Sequence, residues 1–364
     1  MILMFHDSTS RVICMVLILL ASVGLLCAAG AEDIPFLRVD RDRPLAWQEP
    51  LDNVRFLDEA AISGSAQFSA DQFDALAADL RDHAGDREIW IIDCRMESHG
   101  LINGIAVSWC NAVNDVNAGK PCERIEAEES ALSMFPGTEL TAYTTENDRP
   151  LDAVTLSWQS WQTERELVEA AGFHYLRLAC PDHCWPPEDI IDAFLDFVEG
   201  PGKDAWLHFH CQAGSGRTGA FMTVSEILRR PGVPLEEILR HQAETGSGNL
   251  VTPSAHEKSH AQKSRYVMVR VLDEYLRRQH TASSSGERQR WSGFLADHSG
   301  ELTMRIGDSI GCKVITSDAL IVDESGTAVG PGMATVMLCL PEDDTASVLV
   351  YTVTVADAAE APAE

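Results

Sequence analysis

One glycine-rich turn constrains the fold of this chain more than any other sequence feature. It occupies residues 210–219, with the sequence HCQAGSGRTG, and follows a short apolar run at residues 205–209. A longer, mostly apolar segment, residues 220–228, follows and ends before a Pro-Gly pair. The pattern predicts a buried strand, a tight turn and a helix. Backbone N–H groups and the helix dipole make such a turn an anion-binding site.

The turn also carries a thiol at its start and a guanidinium at its end. Unpaired N–H donors and a neighbouring arginine favour the thiolate form of a cysteine, so Cys211 is predicted to be a nucleophile. Arg217 follows six residues later and can grip two phosphoryl oxygens with its planar fork. Backbone amides can hold the remaining charge. The other predicted phosphate-binding residues are Gln212, Ala213, Gly214, Ser215, Gly216 and Thr218.

This Cys-x5-Arg turn resembles the signature of the protein tyrosine phosphatase (PTP) superfamily. A buried cysteine in an ordinary strand–helix turn would explain neither Arg217 nor the glycines. The resemblance implies that Cys211 forms a phosphocysteine intermediate and that His210 orients the cysteine. An inactive relative that only binds phosphate is the alternative, but Cys211 and Arg217 are both present.

A second polar segment follows an apolar run at residues 88–92. Polar side chains at the C-terminal end of a buried strand lie where α/β sheets bind ligands. The sequence DCRMESHGLING, residues 93–104, followed by Val-Ser-Trp, resembles the cysteine phytases, which remove phosphates from myo-inositol hexakisphosphate. The resemblance implies that Arg95 contacts a substrate phosphate, while Glu97 and His99 shape or support the pocket. A solvated loop with local salt bridges is the alternative interpretation.

A phosphatase that releases an inositol oxygen needs an acid to protonate the leaving alkoxide. Asp182 follows a predicted strand at residues 173–180, and a carboxylic acid on a loop at this position suits the role. The Asp-His-x-Trp-Pro pattern that begins here is similar to the acid loop of the phytases. The prediction therefore makes Asp182 the general acid and includes His183 among the supporting residues.

Two later segments supply further candidates. Gln242 ends a predicted helix, and the resemblance implies that it positions water over the active site. Lys258, Lys263 and Arg265 fall on the next predicted helix, residues 255–278, and add positive charge. They are candidates for the rim of the pocket, with a solvated helix face as the alternative for each.

Net charge narrows the possible partners. The chain has 364 residues and a formal net charge of -28, which argues against nucleic acid or an anionic membrane. A locally basic pocket in an acidic shell would reconcile this charge with a small polyanionic substrate such as an inositol phosphate. The predicted chemistry needs no metal and no organic cofactor.

The N-terminus predicts export. Residues 12–26 form an apolar run that is short for a transmembrane helix, and an Ala-Gly-Ala sequence follows. Residues 1–31 are therefore predicted to be a signal peptide, with a retained anchor as the alternative. The mature protein is predicted to be periplasmic or secreted, without stable membrane insertion. Export permits disulfides, and Cys110–Cys122 and Cys312–Cys339 are plausible pairs.

The predicted fold class is α/β. A phosphatase-type core, residues 32–295, is expected to contain a mainly parallel sheet flanked by helices and a small β-rich subdomain. Residues 111–150 are expected to be irregular or β and to contribute to this subdomain. Alternating runs within residues 299–358 predict a C-terminal Ig-like β-sandwich as an accessory domain.

These features together predict an exported cysteine-dependent phosphatase that acts on phytate. A secreted phosphotyrosine or phosphoinositide phosphatase is one alternative, and the segment from Arg95 to His99 favours phytate over it. A non-catalytic polyanion-binding module is another alternative. The presence of Cys211, Asp182 and Arg217 argues against that module.

Overall fold

A computed structural model describes residues 34–40, 50–134, 136–146, 149–253, 259–282, 289–339 and 349–356. In this part of the chain the strands are β1 (Phe36–Val39), β2 (Arg55–Leu57), β3 (Ile62–Ser65), β4 (Ile89–Asp93), β5 (His99–Ile102), β6 (Ile105–Cys110), β7 (Thr138–Glu146), β8 (Arg149–Trp158), β9 (Trp161–Gln162), β10 (His174–Arg177), β11 (Trp206–His210), β12 (Ser299–Arg305), β13 (Val314–Thr316), β14 (Gly332–Leu338) and β15 (Val350–Ala356). The α-helices are α1 (Ala70–Ala84), α2 (Cys122–Ala131), α3 (Glu164–Ala170), α4 (Glu188–Glu199), α5 (Gly216–Arg229), α6 (Leu235–Glu244), α7 (His260–Ala282) and α8 (Trp291–His298). Short 3-10 turns span Asp58–Ala60 and Leu132–Met134.

The central sheet has the order β10-β4-β11-β3-β2. Its first four strands run parallel, and β2 is antiparallel to β3. Alternate side chains of β4 and β11 enter different hydrophobic clusters: Trp206 packs with α1 and α3, whereas Leu207 and Phe209 pack with α4, α5 and α7. Both faces of the sheet are therefore covered by helices. The predicted mainly parallel sheet flanked by helices is confirmed.

A second sheet forms the β-rich subdomain, with the order β8-β7-β1-β6-β5-β9. It combines the early strand β1 with strands from residues 99–162, and it places β1 beside β6. The expectation that residues 111–150 are irregular or β is wrong in part, because α2 lies within them. Of the residues in α2, Ile125 and Glu129 are buried. A helix with so narrow a buried face has no apolar stripe to reveal its period.

The C-terminal strands form one sheet, with the order β12-β15-β14-β13. Leu349 and Val350 share the hydrophobic cluster that contains Val267 and Val271 of α7. The opposite face packs against Val322 and residues around it. Within the described residues of this region a single sheet lies against a helix, so the predicted Ig-like sandwich is not confirmed.

Other predictions from the sequence meet the structure unevenly. Residues 1–31 lie outside the described residues. Within the part of the chain that the structure describes, no helix is both long enough and apolar enough to cross a bilayer. All eight cysteines of that part are free, so the pairs Cys110–Cys122 and Cys312–Cys339 are not formed.

Candidate active site

The glycine-rich turn lies between the end of β11 and the start of α5, as the sequence pattern predicts. Gly214 has a φ of 71°, and a Cβ there would lie 2.5 Å from the nitrogen of Ala66. Only glycine fits this position. The carbonyl of Gln212 accepts from the Gln67 N–H, and the Ala213 carbonyl accepts from Asn53. Because each peptide group is planar and trans, the N–H groups that follow these outward carbonyls face the interior of the turn.

The predicted nucleophile, Cys211, lies at the start of this turn. Cys211 is buried, directly follows β11, and precedes the first residue of α5 by five positions. The hydroxyl of Thr218 is buried and has no hydrogen-bond partner among the described residues. A buried donor without a partner marks a place where another group binds. It is therefore available to a thiolate or to a phosphoryl oxygen.

Glu97 orients the guanidinium of Arg217. Nη1 of Arg217 donates to Oε2 of Glu97 at 2.6 Å, and Nη2 donates to Oε1 at 3.0 Å. Burial would raise the pKa of Glu97, but the charges of Arg217 and Arg95 hold it well below its usual range. Glu97 is therefore ionised, and the fork of Arg217 has one fixed direction. Glu97 thus contacts Arg217, while the role in the substrate pocket that the resemblance implies for it stays a prediction.

Arg95 lies behind Glu97 and faces the protein interior. Its guanidinium is fully buried and donates to Asp40 at 2.9 Å, to Glu97 at 2.8 Å and to Gln67 at 2.6 Å. These contacts use the fork that a phosphate would need. The arrangement differs from the expectation that Arg95 contacts substrate. The reason is Asp40, an anionic partner that follows β1 and is distant in sequence.

His99 and His210 are joined by a buried carboxylate. Nε2 of His99 lies 3.3 Å from Asp93 and 3.3 Å from Glu164. The other oxygen of Glu164 lies 2.7 Å from Nε2 of His210, a contact that lacks the alignment of a hydrogen bond. Burial would lower the pKa of His99, but chiefly the charge of Asp93 raises it to about 10. His99 is thus a buried cation at neutral pH.

Glu164 was not predicted from the sequence. It is the first residue of α3, where an acidic side chain ordinarily stabilises the helix dipole. Because an acidic residue is common at a helix start, nothing in the sequence marked Glu164 as part of the site. Its carboxylate, 2 % exposed, instead lies between two histidines and accepts from Gln67 at 2.7 Å. This position connects α3 to the residue that precedes the nucleophile.

Asp182 reaches the same arginine as Glu97. Its Oδ2 accepts from Nη2 of Arg217 at 2.9 Å and from Asn114 at 2.9 Å. Burial would raise the pKa of Asp182, but the charge of Arg217 lowers it below its usual range. His183 is exposed, has a left-handed φ of 58°, and lies 3.2 Å from Gln262 of α7. Asp182 thus rests as a carboxylate on the guanidinium predicted to bind phosphate.

The remaining predicted residues lie around this centre. Gln242 is buried and donates to Glu226 at 2.7 Å, while it accepts from Ser247 at 2.8 Å. These contacts hold the loop that follows α6 instead of facing the pocket. Lys263 forms a 2.5 Å ion pair with Asp318, away from the turn. Lys258 lies outside the described residues.

Arg265 is closest to the position predicted for a rim cation. Its Nη1 lies 3.3 Å from the point that a Cβ on Gly216 would occupy. Arg55 is a second buried cation: it donates to the carbonyl of Asn53 at 2.9 Å and to the hydroxyl of Ser247 at 3.2 Å, and burial lowers its pKa to about 10. Two arginines therefore lie close to the turn even though the chain as a whole is acidic.

Two clusters in the described residues bring metal-type ligands together. Glu59, Glu226 and His241 form one, but Arg230 lies 2.6 Å from Glu226 and 3.4 Å from Glu59. The other cluster contains Asp93, His99 and Glu164. Its histidine is cationic at neutral pH, for the reason given above. In each cluster a protein cation already balances the carboxylates.

The geometry agrees with the sequence pattern: a parallel sheet ends in a Cys-x5-Arg turn, and the loop that carries Asp182 lies beside it. The sequence model of the PTP-like phytase family, described by inositol hexakisphosphate, matches residues 92–229. The resemblance predicted from the sequence is confirmed: the core of this chain is similar to the PTP-like phytases.

Solved structures agree with this family match. A tandemly repeated PTP-like phytase from Mitsuokella multacida is 31% identical with a TM-score of 0.65, over 72% of this chain and 49% of that chain. A PTP-like myo-inositol phosphatase from the same organism, in complex with myo-inositol-(1,3,4,5)-tetrakisphosphate, is 31% identical with a TM-score of 0.64 and the same coverage. A PTP-like phytase from Bdellovibrio bacteriovorus is 27% identical with a TM-score of 0.60, over 74% of this chain and 97% of that chain.

One curated relative also matches. The effector protein hopD2 of Pseudomonas syringae pv. tomato is 27% identical over an alignment of 157 residues, with 41% of this chain and 34% of the effector covered. This chain therefore spans about a third of that effector and about half of the two Mitsuokella proteins.

Proposed function

We propose that this protein is an exported phosphatase that hydrolyses myo-inositol hexakisphosphate through a phosphocysteine intermediate. The observation that carries the proposal is the pairing of Cys211 with Arg217 in one turn, where Glu97 fixes the guanidinium at 2.6 Å and 3.0 Å. The inositol tetrakisphosphate complex of the Mitsuokella relative supports an inositol phosphate as the substrate class.

In the first step, Sγ of Cys211 attacks phosphorus, and the bond from phosphorus to the inositol oxygen breaks. Protonated Asp182 gives its proton to that oxygen, which leaves as a hydroxyl group. The inward N–H groups of the turn and the fork of Arg217 hold the oxygens of the transferring group. In the second step, Asp182 as a carboxylate takes a proton from water, and this water displaces Cys211 from phosphorus.

Substrate binding requires Asp182 to release Arg217. In the resting arrangement, Oδ2 of Asp182 lies 2.9 Å from Nη2 of Arg217. A phosphoryl dianion competes for the same donor, and its charge near Asp182 favours the protonated carboxyl. Binding of the phosphoryl group thereby converts the resting carboxylate into the acid that the first step needs.

The charge of the surrounding groups supports a substrate with several phosphates. Arg265 lies beside Gly216, and Arg55 donates to Asn53 and Ser247, which both contact the turn. A single phosphate uses Arg217 and the amides of the turn. A substrate with neighbouring phosphates also gains from Arg265, which lies outside the turn. This favours an inositol phosphate over an isolated phosphomonoester.

The proposal is tested by phosphate release from phytate and from a phosphotyrosine peptide under reducing conditions. We expect faster release from phytate, and loss of release in Cys211→Ser while the protein stays folded. Cys312→Ser, a substitution in the C-terminal region, is the matched control and retains activity. Preference for phosphotyrosine would overturn the substrate class, and full activity of Cys211→Ser would overturn the mechanism.

Export is a separate part of the proposal and rests on the sequence of residues 1–31. The full chain, produced in a bacterium, is expected in the periplasm or medium with Glu32 as its first residue. Leu19→Arg, which places a charge in the apolar run, is expected to keep the chain in the cytoplasm. An uncleaved N-terminus on a membrane-bound product would instead support an anchor.

A further inference from the structure

Asn114 contacts the carboxylate that the proposed mechanism makes the general acid. Its Nδ2 donates to Oδ2 of Asp182 at 2.9 Å, the same oxygen that accepts from Arg217. Asn114 is 1 % exposed, and its own Oδ1 is buried without a hydrogen-bond partner in the part of the chain described. A buried amide with an unsatisfied acceptor is unfavourable by itself. Its donor, however, is directed at a reacting group.

The backbone holds Asn114 in one orientation. Its φ is 56°, in the left-handed region, and its N–H donates to the carbonyl of Asn111 at 3.0 Å. Non-glycine residues rarely adopt this conformation, although asparagine tolerates it better than most. The loop that contains residues 111–120 thus aims one particular side chain at Asp182.

This loop is anchored to the segment that orients Arg217. Asn117 donates to the carbonyl of Met96 at 3.0 Å and to the hydroxyl of Ser98 at 2.9 Å. Met96 and Ser98 flank Glu97, which holds Arg217. The position of Asn114 relative to the guanidinium is therefore set by contacts on both sides of Glu97. A carboxylate that leaves Arg217 still has a fixed donor beside it.

We infer that Asn114 is a positioning residue for the general acid: its amide holds the Asp182 carboxyl in the orientation from which it protonates the leaving oxygen. The inference rests on the proposed function, because it assigns the acid to Asp182. Asn114 itself touches neither the phosphoryl group nor the leaving oxygen in this role. It acts through Asp182 alone.

The role predicts a change in the pH profile. Titratable and charged groups also face Asp182 or its loop: Arg217, Glu97, His183, Cys180, Cys184 and Arg265. The donor of Asn114 stabilises the ionised form of Asp182, so its removal raises the pKa of that carboxyl. The first step needs the protonated form, and activity falls as the pH rises through this pKa. Without Asn114, the alkaline limb therefore moves to higher pH.

Two substitutions of Asn114 separate the role of its amide from a role of its left-handed backbone in the loop. Asn114→Gly and Asn114→Asp both accept a left-handed backbone, so neither one strains the loop. Both remove the amide donor. Asn114→Asp also places a carboxylate beside Asp182, which raises the pKa of Asp182 further. Asn103, another left-handed asparagine, bonds residues 157–160 in the β-rich subdomain, and Asn103→Gly serves as the control.

The measurement is kcat and KM across pH for phytate and for p-nitrophenyl phosphate, whose phenolate leaves without protonation. For Asn114→Gly on phytate we expect kcat to fall by about tenfold or more, with KM within about threefold, since an acid contributes about 10² to 10⁴. The alkaline limb rises by about half to one pH unit, and by more in Asn114→Asp. On p-nitrophenyl phosphate, kcat changes by less than about threefold because acid catalysis is not needed.

Several outcomes would overturn the inference, and they are distinguishable from failure of the proposed function. If both Asn114 variants keep the wild-type kcat and alkaline limb, or lose activity equally on both substrates, Asn114 does not position the acid. The same holds if Asn103→Gly loses as much. If Asp182→Asn affects both substrates equally, the acid is wrongly assigned. If the wild type releases phosphate from neither substrate, the proposed function and this role both fail.

Discussion

Two polar segments at the ends of adjacent strands use their side chains in opposite ways. The turn after β11 directs carbonyls outward and leaves Thr218 without a protein partner in the described residues. The segment after β4 pairs Arg95 with Asp40 and Glu97, and His99 with Asp93. The first segment is arranged to bind an anion. The second segment orients Arg217, which belongs to the first one. Charged motif residues near a reaction centre can therefore be supports instead of ligands.

Substitution of the two arginines tests this contrast most strongly. Lysine keeps the charge of each arginine but removes the bidentate fork. We expect Arg217→Lys to lower kcat on phytate by at least about 10³-fold, because more than one transition-state donor is lost. Arg95→Lys should stay within about tenfold, because Arg95 acts through Glu97. Equal losses of kcat in the two variants would contradict the assignment of direct anion binding to Arg217 and of an indirect role to Arg95.

Substitution of Glu97, whose carboxylate contacts both Arg217 and Arg95, tests how much this buried ion pair contributes to stability. Glu97→Gln leaves Arg217 and Arg95 facing a neutral amide in a fully buried site. Loss of one partner from a buried ion pair lowers the free energy of unfolding by about 3 kcal/mol or more. Urea unfolding measures this change. Glu128→Gln is the matched control, because the exposed pairs of Glu128 contribute at most about 1 kcal/mol.

The pH dependence of stability tests the buried cation. An unperturbed histidine has a pKa of 6.5, whereas the pKa of His99 in the folded protein is about 10. A raised pKa contributes stability that is complete below pH 6.5 and is lost as the pH rises through 10. The free energy of unfolding of the wild type should therefore fall over this range. In His99→Gln the fall should be smaller; an identical slope would mean that His99 is neutral in the folded protein.

The smallest expected effects come from substitution of two cations of α7, Lys263 and Arg265. Lys263 pairs with Asp318, whereas Arg265 lies over Gly216. Lys263→Ala is expected to lower the free energy of unfolding by less than about 1 kcal/mol and to leave KM for phytate unchanged. Arg265→Ala is expected to raise KM. A higher KM in Lys263→Ala would restore the rim role that the sequence predicted for Lys263.

Local sequence was sufficient for the parts of the site that one continuous segment builds. The turn from Cys211 to Thr218 was predicted because its glycines, its strand and its helix are neighbours in the chain. Asp182 was predicted because it follows an expected strand and begins an Asp-His-x-Trp-Pro pattern similar to the phytase acid loop. The mainly parallel sheet was expected for the phosphatase-like core that the resemblance covers.

Partners that the fold brings from elsewhere were not predictable in this way. Asn114 lies in an asparagine-rich stretch, residues 111–117, that reads as an ordinary turn. The C-terminal strands showed the alternation of a sandwich, but period alone does not say whether a second sheet or a helix covers a face. In the structure α7 covers one face, and Asp318 thereby reaches Lys263.

The amino-acid sequence is enough to predict the reactive groups: a thiol, a guanidinium and close-fitting glycines in one turn, with a carboxylic acid on a neighbouring loop. Which charged groups face the turn and which pair with each other depends on the folded arrangement. Arg95 meets Asp40 across 55 residues, and Asn114 meets Asp182 across 68. Such pairs depend on which strands become neighbours. Strand order depends on the packing of the whole core, so it cannot be predicted from the spacing of residues within one segment.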